Sequence, residues 1–199
     1  MKQVNRAAAL VILAISSTAA LAQAAAAPAS ARPTGSIAGH PDWPTAKPED
    51  VKSPDAIVNA VYNVISGGKG QARDWDRMRS LFVPDARLIP STAASAANGG
   101  TAHSDAIFLT VDGYIERSSG RMTNDRFFER SIHNEMEQFG NIVQIWSTYE
   151  SRHNADDAAP FARGINSFQL LKDGDRYLVV NIFWDSETAT KPIPAKYLP

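Results

Sequence analysis

Two long segment pairs, each broken once by a two-residue turn, constrain this chain more than any other feature. FERSIHNEMEQF, Gly140-Asn141 and IVQIWSTYESR make the first, and RGINSFQLLK, Asp173-Gly174 and DRYLVVNIFWD the second. Runs rich in β-branched and aromatic residues around Gly-Asn or Asp-Gly read as β-hairpins. Side chains alternate with period two along a strand, so each turn fixes which residues share a face.

With Gly140-Asn141 as the first turn, Phe139 opposes Ile142. One face then pairs Met136 with Ile145, Asn134 with Ser147 and Ile132 with Tyr149. The other pairs Glu137 with Gln144, Glu135 with Trp146, His133 with Thr148 and Glu129 with Arg152. The first set reads as a core face and the second as a solvated one. With Asp173-Gly174 as the second turn, Leu170 opposes Tyr177, Phe168 opposes Val179, Asn166 opposes Asn181 and Gly164 opposes Phe183. The reverse face pairs Ile165 with Ile182 and Arg163 with Trp184. Both faces of this hairpin are largely apolar, so both are expected to be covered. Helices can cover one; a homodimer through the sheet face covers the other, with Trp146, Arg163, Ile182 and Trp184 as interface anchors.

Upstream, Ser53-Pro54-Asp55 is a helix start, with an N-cap hydroxyl, Pro at the first position and an acid in the first turn. Ile57, Val61, Val64 and Ile65 follow at helical spacing until Gly67-Gly68. Asp74 caps a shorter helix carrying Trp75, Met78, Leu81 and Phe82. Pro84-Asp85 reads as a turn before a short strand over 86–90, residues 91–104 as a polar loop, and 106–110 as a second short strand. Asp112 caps a third helix carrying Tyr114 and Ile115, which Gly120 ends.

The first residues predict export from the cytoplasm. Lys2 and Arg6 precede an apolar run from Ala7 to Leu21, with small residues at Ala20, Ala22 and Ala24. That is a secretory signal peptide, cleaved after Ala22 or Ala24, and too short and Ala-rich to span a bilayer. The mature chain is expected to be periplasmic or secreted, with no stable membrane insertion. Residues 23–50 form an Ala/Pro-rich leader with Trp43 as its one docking residue, 51–187 the folded domain and 188–199 an extended tail pinned by Tyr197 and Leu198. Cysteine is absent, so the core alone must hold the domain. Removing Lys2 and Arg6 from 20 basic residues leaves 18 against 21 acidic ones, a mature charge of −3, which excludes nucleic acid as a partner class.

Helix, short helix, short strands, third helix, then long antiparallel hairpins is an order that resembles the nuclear transport factor 2-like superfamily. The FGNI turn, STYESR and the RGINSFQLL and VNIFWDSE strands look like its SnoaL-like members, over about residues 53–187. The resemblance implies an α+β cone, a curved antiparallel sheet with three N-terminal helices on its concave face, a pocket between them and frequent dimerisation. It does not imply one activity, since this fold hosts enzymes, binding modules and transport factors. Ketosteroid isomerases of the superfamily place a Tyr on the first helix and a carboxylate base before a Pro. Tyr62 matches the first position, but Leu88-Ile89-Pro90 offers no carboxylate at the second, and an aliphatic chain cannot act as a base.

Asn134, Ser147, Tyr149, Asn166, Asn181 and Asp185 project from faces otherwise apolar, so they must hydrogen-bond to each other or to a ligand. Asn134, Ser147, Asn166 and Asn181 are the ligand-binding candidates, and Asp185, Tyr62 and Tyr149 the catalytic ones. His133, Glu135 and Glu137 on one strand face make no convincing metal set, and His103 and His153 read as surface residues. No phosphate loop, nucleophile elbow or catalytic Cys is present, and no cofactor is implied. Three functions stay open: binding a small apolar or amphipathic ligand; cyclase, dehydratase or isomerase chemistry in the same pocket; or a structural and interaction role with the pocket filled.

Overall fold

A computed structural model describes residue 37 and residues 39–93 and 104–199, all within one compact unit, Arg32–Pro199. The expected signal peptide, residues 23–36 and 38 of the leader, and residues 94–103 of the expected loop, His103 included, lie outside the described residues. The elements run α1 (Pro48–Val51), α2 (Pro54–Ile65), α3 (Trp75–Ser80), β1 (Phe82–Ala93), β2 (Ser104–Ala106), α4 (Val111–Asn124), β3 (Phe128–Phe139), β4 (Ile142–Arg152), β5 (Ala162–Asp173) and β6 (Arg176–Ser186), then a 3₁₀ turn, Ala195–Tyr197.

Local capping chemistry sets the helix starts. Ser53 Oγ accepts from the Ala56 amide at the head of α2, and Asp74 Oδ1 accepts from Arg77 N at the head of α3. α4 begins one turn differently from expectation: Thr110 Oγ1 caps it by accepting from Gly113 N, and Asp112 sits inside its first turn. It also runs through Gly120 to Asn124, since a single glycine weakens a helix without ending it. The leader stops short of its expected boundary. α1 lies within it, and Trp43 Nε1 donates to the carbonyls of Arg79 and Phe82, each at 3.0 Å.

The sheet has six strands in the order β2-β1-β6-β5-β4-β3. It is mixed rather than wholly antiparallel, because β1 runs parallel to β6. β1 starts at Phe82 and passes through Pro84-Asp85 as an irregularity in its pairing with β6, where a turn had been expected. Leu88 and Leu109 exchange backbone bonds, so the second short strand pairs as expected although the regular part of β2 is earlier. The helices cover one face. Ile57, Val58 and Val61 of α2 pack there against Val143, Ile145, Phe168 and Val179. Ile57 and Val58 are wholly buried, each worth about 1.5–3 kcal/mol of transfer free energy.

Three departures from the expected registers decide what faces this inner side. In the first hairpin the pairing follows expectation from Phe139↔Ile142 to His133↔Thr148, then shifts at Ile132, so that Ser131 meets Tyr149 and Glu129 meets Ser151. In the second, the turn is Gly174-Asp175, with Gly174 at φ 69°, and Asp173 opposes Arg176. A further shift between Gln169 and Leu170 then exchanges the two faces of β6 beyond it. Asn166 therefore opposes Trp184, and the expected Asn166–Asn181 pair does not form, because Gln169 takes Asn181 on the outer face.

The same exchange alters the expected subunit contact. Ile182 and Trp184 point inward, Ile182 buried and Trp184 edge-on to Tyr114 at 6.3 Å. Arg163 does not stack on Trp184; it grips Glu187 through two hydrogen bonds of 2.8 and 3.1 Å. Trp146 stays on the outer face, stacked on Tyr197 of the chain's own tail at 5.6 Å, while Thr148 Oγ1 donates to the Tyr197 carbonyl. The tail is thus pinned to the outer face and buries Thr148, which the sequence places on a solvated face. Met136 and Phe139, at 50% and 86% exposure, lie beyond the helices' cover near the hairpin tip.

Candidate functional site

The site starts with the shift at Ile132. One extra residue on β3 reverses the parity of everything before it, a bulge that re-aims side chains. Glu129, expected beside Arg152 on the solvated face, turns inward opposite Ser151. Its backbone is held from the other side. Ser66, just past α2, accepts from Glu129 N at 2.9 Å while its hydroxyl donates to Tyr62 O at 2.7 Å, and Gly67 pairs with Phe127 through two backbone bonds. Arg73 fixes that segment in turn by donating to the carbonyls of Ile65 and Gly67.

Glu129 lines a cavity of about 200 Å³ between α2, α4 and the inner sheet face. The walls are Val61, Ile65, Met78, Leu88, Phe168, Ile182 and Trp184, with the phenols of Tyr62, Tyr114 and Tyr149. Only two of the lining residues carry charge, Glu129 and Arg121. Ser151 Oγ donates to Glu129 Oε2 at 2.7 Å; Glu129 Oε1 accepts no hydrogen bond from a described residue. Burial pushes the Glu129 carboxyl up from 4.5 to about 7, and the Ser151 bond, which favours the ionised form, only partly opposes it. The residue retains some accessible surface, but its carboxyl is enclosed by protein atoms, and that enclosure governs its hydration.

The three phenols are held protonated. Burial raises Tyr62 and Tyr114 far above the ordinary tyrosine value and pushes Tyr149 to about 12, and the Glu129 charge raises each further. Tyr62 is also committed elsewhere. Asn166 Nδ2 donates to Tyr62 Oη at 3.0 Å, Tyr62 Oη to Ser147 Oγ at 2.8 Å, Ser147 Oγ to Ser131 Oγ at 3.1 Å and Ser131 Oγ to Asn134 Oδ1 at 2.8 Å. Asn134 Nδ2 then reaches Asp55 Oδ1 at 3.3 Å. Every donor in this relay points the same way, from β5 through α2, β4 and β3 and back to Asp55 of α2. Tyr62→Phe removes its second member and leaves Asn166 Nδ2 without its partner. It is expected to lower unfolding free energy by about 2 kcal/mol in urea titration. A loss below roughly 0.5 kcal/mol would show that the relay is not structural.

The sequence candidates divide accordingly. Asn134, Ser147, Asn166 and Tyr62 come together, as one hydrogen-bonded network; of these, Tyr62 and Asn166 line the cavity. Tyr149 lines it too, with its hydroxyl 3.1 Å from Ser186 Oγ. Asn181 and Asp185 are elsewhere. Asp185 is paired with the Lys191 ammonium and the Ser186 amide, away from the cavity. Sequence reasoning missed Glu129, Tyr114 and Arg121. The one signal for Glu129 was an acid two residues into a strand, which every surface hairpin shares. His133 Nε2 lies 2.9 Å from Glu135 Oε1 at the outer face, and among the described residues no three His, Asp or Glu gather as a metal set.

No protein family profile and no curated protein matches the sequence. Among solved structures the chain is similar to a Nostoc punctiforme protein of unknown function with a cystatin-like fold, at 8% identity and TM-score 0.47, covering 65% of this chain and 85% of that one. It is similar to an NTF-2 like protein of unknown function from Silicibacter pomeroyi, at 14% identity and TM-score 0.43, covering 66% and 91%. A nuclear transport factor 2-like superfamily protein from Salmonella enterica aligns at 11% identity and TM-score 0.43, covering 67% and 85%. These likenesses concern the layout of the chain and carry nothing about activity.

Proposed function

We propose that the inner cavity receives a small, largely apolar molecule and that Glu129 exchanges a proton with it. One observation carries this reading: a single carboxyl lines the cavity, pushed up to about 7 by burial, and one of its oxygens accepts no hydrogen bond from a described residue. Near neutrality both its forms are populated, the condition for an efficient general acid–base group. As a carboxylate, Glu129 takes a proton from carbon beside a carbonyl; the C–H electron pair forms a carbon–carbon double bond as the carbonyl π pair moves to oxygen, and when that pair returns the proton is delivered to a second carbon or to a hydroxyl that leaves as water. Ser151 keeps the carboxyl oriented throughout. Isomerisation, dehydration and cyclisation are the reaction classes built on that transfer.

Binding without transformation is the second reading, and the relay favours it. Stabilising a developing oxyanion is usually the largest catalytic contribution, and Tyr62 already donates its proton to Ser147. The two readings part on one experiment. In D₂O, proton NMR follows exchange of the α-hydrogens of 2-tetralone, a small apolar ketone. The proton-transfer reading expects exchange accelerated by the protein and lost in Glu129→Gln. Tetralone that binds without exchanging would leave binding alone, and tetralone that does not bind would count against both.

A further inference from the structure

We infer that the ligand of this cavity is an amphipathic monoanion of the carboxylate type, whose charged end stops at Arg121 while its apolar body fills the chamber. The inference rests on the reading of the cavity as a ligand site. Arg121, on α4, borders three hollows at once: the inner cavity, an outer groove of about 570 Å³ and a smaller hollow beside Pro90 and Trp184. The inner cavity and the outer groove also share Met122 and Phe127, so Arg121 stands between the two. Its guanidinium makes no hydrogen bond or ion pair with a described residue. Of the other arginines on the helical side, Arg73 is engaged with backbone carbonyls, Arg77 with Asp50 and Arg79 with Asp76 and Asp112, while Arg117, one turn earlier on α4, lines only the hollow beside Pro90 and Trp184.

The outer groove has a matching charge. Lys69, Arg121 and Arg126 line it against one carboxylate, Asp125, on a chain whose formal net charge is −1. Cations gathered at a mouth in an otherwise slightly acidic protein focus field on anions. Its remaining walls are aromatic, with Phe127 and Phe161 at 6.3 Å and the His153 ring stacked on Phe161 at 4.3 Å. Orientation follows from desolvation. The chamber interior already holds one carboxyl near neutral by burial, so a second anion there would be strongly disfavoured. At the mouth, the same anion meets a free guanidinium whose flat fork suits a carboxylate through two parallel hydrogen bonds.

Isothermal titration of 4-phenylbutyrate and its uncharged amide, 4-phenylbutyramide, into the full chain and into Arg121→Gln tests this. Arg121 is exposed and makes no hydrogen bond or ion pair with a described residue, so the variant keeps the parent fold, which its thermal midpoint verifies. The parent is expected to bind the carboxylate at least tenfold more tightly than the amide, and Arg121→Gln to abolish most of that preference while leaving amide affinity unchanged. Equal affinity of the parent for both compounds overturns the inference and leaves the cavity reading intact. A preference that survives in Arg121→Gln overturns the assignment to Arg121. Binding of neither compound removes the cavity reading and this inference with it.

Discussion

At about pH 8, Glu129→Gln is expected to resist urea better than the parent protein, by as much as roughly 3 kcal/mol. In the unfolded chain the carboxyl ionises at its ordinary value, 4.5; in the folded one burial holds the proton until about 7. The folded state therefore binds more protons between those values, and its stability falls as pH rises through that window. Below about pH 4.5 the carboxyl is neutral in both states, the contribution is complete, and parent and variant should nearly coincide. Above about pH 7 it is lost, and the parent carries a buried charge that the neutral amide does not. Urea midpoints across this range measure the effect. A variant no more stable than its parent at about pH 8 would mean that the Glu129 carboxyl is hydrated and ionises normally. Stability gained by removing a polar group is characteristic of sites kept for function rather than for folding.

Gly164→Ala is expected to lose about 3 kcal/mol, the upper part of the range for overpacking a core, and to lower the thermal midpoint by roughly 6–12 °C. Gly164 lies in β5 between Tyr149 of β4 and Ser186 of β6. A Cβ there would stand 2.5 Å from Tyr149 Oη and 2.7 Å from its Cε1, and as close to the Asp185 carbonyl oxygen. The phenol can swing aside at the expense of its bond to Ser186, but the carbonyl is main chain and moves only with the strand. Displacing Tyr149 also narrows the chamber it lines. Calorimetric unfolding gives the size of the loss. A drop under about 1 kcal/mol would indicate that β6 gives way locally at little expense.

How far the sequence could be read depended on the range of the chemistry involved. The caps at Ser53 and Asp74 were legible because a cap is settled within three residues. The first hairpin was legible outward from Gly140-Asn141 as far as His133. Beyond that, an unpaired Ile132 is stabilised by what packs around it, which no local pattern states, and Glu129 was lost to view on the wrong face. Asp173-Gly174 and Gly174-Asp175 are both acceptable turns, so the second register depended on tertiary contacts, and the shift at Gln169 then interchanged Trp184 with its neighbours. Asn166 and Ser147 were found because inward polar residues are rare enough to stand out, and Tyr62 through the family resemblance, whereas Arg121 fell beyond the helix that Gly120 was expected to end.

The bulge on β3 makes what faces the inner chamber a matter of counting. Alternating strands turn chain length into an even-or-odd variable, and the Gly140-Asn141 turn is its origin. Ile132 changes that count by one, so Glu129 and not Arg130 reaches the chamber. A relative of the same length that paired β3 without a bulge would keep an acid in the aligned column and turn the next residue, Arg130 here, inside. A relative that lacked the extra residue would keep its acid facing in, because without Ile132 the ladder still sets Glu129 opposite Ser151. Comparisons within this fold should therefore settle the pairing between the strand start and the turn before they score the identity of any residue.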